Sequence, residues 1–116
     1  MKRKLALLLV AATVVGLFGG IGSALANDSS IKIGISLPTL QEERWGLDKK
    51  GFEKAAEEAG IEIILQVANT DQAVQLSQCE DMLTQGIDVL IIGACDEGGA
   101  AIIVEKAHAE GVKVIA

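Results

Sequence analysis

Aromatic side chains are scarce in this sequence: there is no tyrosine, one tryptophan (Trp45) and two phenylalanines (Phe18 and Phe52). Histidine is scarcer still, with His108 alone, and the only cysteines are Cys79 and Cys95. One histidine and two separated thiols make no metal-ligand cluster, and they leave no nucleophile beside a base. His108 falls late in a helical stretch, where a surface imidazole near a helix C-terminus is the plain reading. The phosphate-binding signatures are missing too. No glycine lies between Leu37 and Trp45, the spacing of Gly93, Gly98 and Gly99 is not G-x-G-x-x-G, and there is no G-x-x-x-x-G-K-S/T run. These glycines read as room for a helix to start near a sheet rim. An enzyme would need a catalytic group at a strand end, and only Asp96 and Glu97 offer one. The expectation is a protein that is not an enzyme and carries no cofactor.

Basic charge is also short. Three of the ten basic residues, Lys2, Arg3 and Lys4, precede a long apolar run that closes on Ala24-Leu25-Ala26. A basic start, an apolar centre and a small-x-small end describe a secretory signal peptide over residues 1–26, with cleavage expected after Ala26. An uncleaved membrane anchor is the competing reading, which Gly16, Gly19, Gly20 and Gly22 weaken. No cysteine stands at the cleavage site, so a soluble protein released outside the inner membrane, in the periplasm, is expected. Residues 27–116 then hold seven basic against sixteen acidic residues, a net −9. Nucleic acid and anionic lipid, both polyanions, are excluded as natural partners of such a surface.

What is present is a repeat of strand, loop, helix and glycine. The strands read as IKIGISL (31–37), IEIILQV (61–67), DVLIIGA (88–94) and KVIA (113–116). The third is apolar at almost every position, as a parallel strand covered on both faces should be. Helices are predicted over 42–59, 71–85 and 98–110, running into Gly60, Gly86 and Gly111, which can take the left-handed conformation that stops a helix. Thr70 or Asp71, and Asp96, are candidate N-caps. Apolar stripes at helical spacing are Phe52, Ala55, Ala56 and Ala59, then Leu76, Cys79, Met82 and Leu83, then Ile103, Val104 and Ala107. The alternation predicts an α/β fold with a doubly wound parallel sheet and right-handed crossovers. Cys79 falls mid-helix and Cys95 at the rim, too far apart for a disulfide, so two separate thiols are expected. KVIA stops inside what reads as a buried strand, so residues 27–116 are expected to be the incomplete N-terminal lobe of a longer protein.

Ligands of open parallel sheets bind beyond the carboxyl ends of the strands. Those ends are LPTLQEERW (37–45), VANTDQ (67–72) and GACDEGG (93–99). Glu42 and Glu43 point about 100° apart on a helix and favour its start through the dipole. Asp96 is a cap first and a ligand contact second. Trp45 lies seven residues before Phe52 and could head the core stripe, and Arg44 could pair with Asp48 on the surface. Alternatively, the ring is a platform for the C–H face of a sugar and the guanidinium a fixed donor to hydroxyls.

IKIGISLPT, ERW with Asp48 and Phe52, VANTDQAVQLSQCEDMLTQGIDVLII and EGVKVIA together resemble the opening of periplasmic sugar-binding proteins of ABC transporters, of the xylose-binding and multiple-sugar receptor type. The resemblance covers Ile31 to Ala116. It implies a two-lobed type I periplasmic binding fold. It also implies a monosaccharide ligand (xylose or a related aldose), delivery to an ABC transporter permease, and a monomer. It assigns hydrogen bonding of the sugar to Arg44 and stacking to Trp45. Relatives often have a proline after the third strand where this chain has GACDEGG, which lowers the rank of Asp96. A sensor reading stays open, in which the same fold signals to a chemoreceptor or a histidine kinase.

Overall fold

The computed structural model describes residues 30–116; the expected signal peptide lies outside them. Ile31–Ala116 forms one compact unit. Its elements are β1 (Lys32–Leu37), α1 (Glu43–Ala59), β2 (Glu62–Val67), α2 (Gln72–Thr84), β3 (Val89–Ile92), α3 (Glu97–Ala109) and β4 (Lys113–Ile115). The strands pair in parallel in the order β2-β1-β3-β4. Chain progression therefore runs one way from β1 to β2 and reverses from β1 to β3 and β4. Right-handed crossovers then put α1 on one face and α2 and α3 on the other. The point of reversal, between β1 and β3, opens a crevice at the strand carboxyl ends.

The predicted helix ends are found. Gly60, Gly86 and Gly111 take φ of 66°, 81° and 74°, the left-handed region that a side chain resists. Asp71 caps α2 by accepting from Val74 N at 3.1 Å, and Asp96 caps α3 by accepting from Gly99 N at 2.9 Å. Of the two candidates for α2, the cap is thus Asp71. Glu42 heads α1 without a side-chain cap.

The core lies between the sheet and the pair α2 and α3. Met82, Leu90, Ile103 and Ala107 are fully buried there, with Cys79, Ile87 and Ile92 beside them. The second and third apolar stripes accordingly face inward. The first stripe differs from expectation. Only Ala56 is buried, Phe52 is half-buried, and Ala55 and Ala59 are exposed. A recess of about 200 Å³ separates this side of α1 from Ile33, Ile35 and Ile63. Three alanines in four stripe positions are too short to fill the gap between helix and sheet, and α1 is the only described helix on this face. The last strand is also less buried than its sequence predicts. Ile115, paired with Ile91 on the α1 side, is 58% exposed: among the described residues no strand pairs beyond β4, and α1 lies over β2.

Both thiols are free, Cys79 buried in the core and Cys95 half-buried at the rim. Burial pushes the Cys79 thiol above its ordinary value of 9.0, against a smaller downward pull from its hydrogen bond with Ser36. Cys95 is raised as well, by burial and then by the charge of Asp71. A thiol with a raised folded-state pKa contributes stability that is fully present below the unfolded value near 9.0 and is lost as pH rises through the folded value. Denaturant midpoints followed from about pH 8 to about pH 11 should fall at the alkaline end, and Cys79→Ala should flatten that limb.

Candidate ligand site at the strand carboxyl ends

Three loops build the rim, and backbone hydrogen bonds tie them together. Ala68 N donates to Leu37 O at 2.9 Å and Thr70 N to Pro38 O at 2.7 Å, joining the β2–α2 loop to the β1–α1 loop. Gly93 N donates to Ser36 O at 2.8 Å, joining the end of β3 to β1. Within the first loop, Thr39 is buried and its hydroxyl accepts from Gln41 N at 3.0 Å, which sets the turn that delivers the chain into α1.

The second loop carries strain. Asn69 and Thr70 have φ of 53° and 63°, two consecutive left-handed residues without glycine. Asparagine tolerates this region; a β-branched threonine does not. Thr70→Gly is expected to raise stability by about 0.5–1 kcal/mol, the relief of left-handed strain offset by greater freedom of the unfolded chain. Thermal unfolding of the single variant checks it.

Arg44 and Trp45 open α1 at this rim. The indole is half-buried, and its six-membered ring lies against Gly93. The Arg44 guanidinium carbon stands 4.5 Å from the ring centroid, and its Nε is 3.8 Å from an Asp48 carboxylate oxygen. Its side chain is 74% exposed. A cation over a ring at an exposed site is worth only about 0.5–1 kcal/mol, and an exposed i,i+4 ion pair about 0.3–0.5. Arg44 is therefore lightly held and free to re-aim. Below it opens a recess of about 310 Å³ lined by Arg44, Trp45, Asp48, Phe52, Gly93 and Ala94 with the ends of β1, β3 and β4. Apolar walls with an indole, one guanidinium and one carboxylate at the mouth suit a small neutral ligand with a C–H face and hydroxyls.

The structure thus brings Arg44 and Trp45 together and leaves Asp96 apart. Asp96 does not line the recess, and one of its carboxylate oxygens is engaged in capping α3. Gly98 and Gly99 belong to the first turn of α3, where a Cβ on Gly99 would overlap Gln72. His108 is exposed in the last turn of α3, away from the rim, as its position predicts. Among the described residues no group of three or more His, Cys, Asp or Glu could hold a metal ion.

Two residues to which the sequence reading gives no role at the site are central here. Gln75 is fully buried. Its Nε2 donates to Gly93 O at 2.8 Å and Ser36 Oγ at 3.0 Å, and its Oε1 accepts from Cys95 N at 3.0 Å. The signal was a glutamine on an apolar helix face, four residues before Cys79 and seven before Met82. Gly93 is the other, in direct contact with the indole.

The chain matches the periplasmic binding protein domain family over residues 33–116. It belongs to that family. Among the relatives, it is 38% identical over 116 residues to the D-xylose-binding periplasmic protein of Haemophilus influenzae, covering 100% of this chain and 33% of that one. It is 38% identical over 108 residues to a multiple sugar-binding periplasmic receptor of Rhizobium radiobacter, covering 93% and 30%. The carbohydrate transporter solute binding protein of Chloroflexus aurantiacus, solved in complex with D-glucose, superposes with a TM-score of 0.71 at 36% identity, covering 76% of this chain and 26% of that one. The chain spans about a third of the length of the relatives it matches. These members of the periplasmic binding protein family are named for what they bind, and none is named as an enzyme.

Proposed function

We propose that this chain is the first part of a periplasmic receptor that binds a monosaccharide, xylose or a related aldose, and delivers it to an ABC transporter permease. The observation that carries the reading is the pairing of Trp45 and Arg44 at the mouth of the recess. Trp45 stacks on the apolar face of the sugar, and Arg44 leaves its loose contacts to donate to the hydroxyls. The names of the relatives support the same ligand class. In this reading residues 1–26 are the exported signal, removed after Ala26, and residues 27–116 are the start of the first of two lobes. Sugar makes better contacts when the lobes close, so binding shifts the population toward the closed form, which the permease recognises. No bond is made or broken.

The test is calorimetry on the product of the full natural reading frame, signal removed, against xylose, arabinose, ribose, glucose and galactose. One or two of these should bind. Trp45→Ala should weaken that binding by about 30-fold to 100-fold, the loss of roughly 2–3 kcal/mol for a well-packed ring. A folded protein silent across the panel would overturn the proposal.

A further inference from the structure

The contact between Gly93 and Trp45 is a matter of space rather than backbone conformation. Gly93 does not occupy the left-handed region, so its φ would accept a side chain. What excludes one is the indole: a Cβ at this position would stand 2.7 Å from Trp45 Cη2, 2.8 Å from Cζ3 and 3.0 Å from Pro38 Cδ. Real Cβ contacts are essentially never shorter than 3.0 Å, so the ring can lie here only because residue 93 has no side chain.

A seat must also be fixed. Both polar atoms of Gly93 are held: its N–H by Ser36 O at 2.8 Å and its carbonyl by Gln75 Nε2 at 2.8 Å. Gln75 fastens the next part of the loop as well, through Cys95 N at 3.0 Å, while bracing on Ser36 Oγ at 3.0 Å. All of its amide atoms are matched, Oε1 to a donor and Nε2 to two acceptors. Gln75 does not line the recess; whatever it does for the site it does through Gly93.

We propose that Gly93 and Gln75 are positioning residues that set the pose of the Trp45 ring, Gly93 by giving the indole a flat seat and Gln75 by locking that seat to β1. The proposal rests on the sugar-binding reading for its purpose, but the seat itself can be measured without sugar. A platform displaced by an ångström presents a different face to the ligand, and positioning errors of that size have large effects on binding geometry.

The experiment is a double-mutant cycle in the full-length protein. Gly93→Ala is combined with Trp45→Phe, because phenylalanine lacks the outer indole atoms that would meet the new Cβ. The readouts are affinity for the sugar bound best in the panel and the near-ultraviolet circular dichroism of Trp45, isolated by subtracting the Trp45→Phe spectrum. Gly93→Ala should weaken binding about tenfold or more in the parent and about twofold or less in the Trp45→Phe background. It should change the Trp45 band while far-ultraviolet dichroism is kept. Gln75→Met should change the same band with the fold retained. Equal loss of affinity in both backgrounds, or a Trp45 band unmoved by both Gly93→Ala and Gln75→Met, would overturn the proposal. If Gly93→Ala does not fold, recovery of the fold in Gly93→Ala/Trp45→Phe supports the seat and failure of both variants overturns it. If the parent binds no sugar, the receptor reading fails, and the Trp45 band alone decides the seat.

Discussion

Gln75→Met should lower the unfolding free energy by about 2–4 kcal/mol, although methionine nearly matches glutamine in shape. The substitution removes three hydrogen bonds and supplies no replacement partner. The Gly93 carbonyl and the Cys95 N–H, both part-buried, lose their Gln75 partner, and the Ser36 hydroxyl keeps only its hydrogen bond with Cys79. A buried polar group left unpaired costs about 1–3 kcal/mol, and partial solvent access at the loop reduces the sum. Denaturant titration at neutral pH gives the number, with the slope checked so that only the midpoint moves. A loss under about 0.5 kcal/mol, the scatter expected of ordinary surface changes, would show that the loop finds other partners.

Leu90→Ala should cost more, about 2–5 kcal/mol. Leu90 is in β3, one of the two inner strands, and is fully buried among Met82, Ile92 and Ile103 beneath α2 and α3. Elements on both sides of it are fixed by the sheet and by helix packing, so the cavity cannot collapse. Ile103→Val in the same cluster removes one methyl-sized group and should cost about 0.5–1.5 kcal/mol. The pair gives an internal scale: if Leu90→Ala fell within that smaller range, the core would be more deformable than its packing implies.

Much of this fold was readable from local pattern. Runs of Ile and Val gave the four strands, and the left-handed Gly60, Gly86 and Gly111 gave the helix ends, because both signals act over a few residues. The stripe on α1 was misleading for a plain reason. Ala55 and Ala59 have the spacing of a buried face but not the volume to reach the sheet, and hydrophobic periodicity does not measure reach. At the site, Arg44 and Trp45 could be placed at the rim because a strand end and a helix start fix that location. The reason for Gly93 was out of view. It depends on a ring contributed by a distant segment, whereas its own neighbourhood resembles any glycine-rich helix entrance. Gln75 was hidden by the opposite habit: a glutamine on a helix reads as solvent-facing until its place in the apolar stripe is counted.

The strand order has a consequence for how the chain assembles. β1 lies between β2 and β3, so the first of the described strands gains its second neighbour only after α1, β2 and α2 have been made. Until Val89–Ile92 arrives, one edge of β1 is an open hydrogen-bonding template, and Met82 and Ile87 have no Leu90 to pack on. The pairing of Ile33 with Val89 is a long-range contact whose loop closure must precede its reward, a step that slows folding. A nascent chain of this sequence therefore passes through a stage in which β1, an inner strand of the described sheet, is its most vulnerable one.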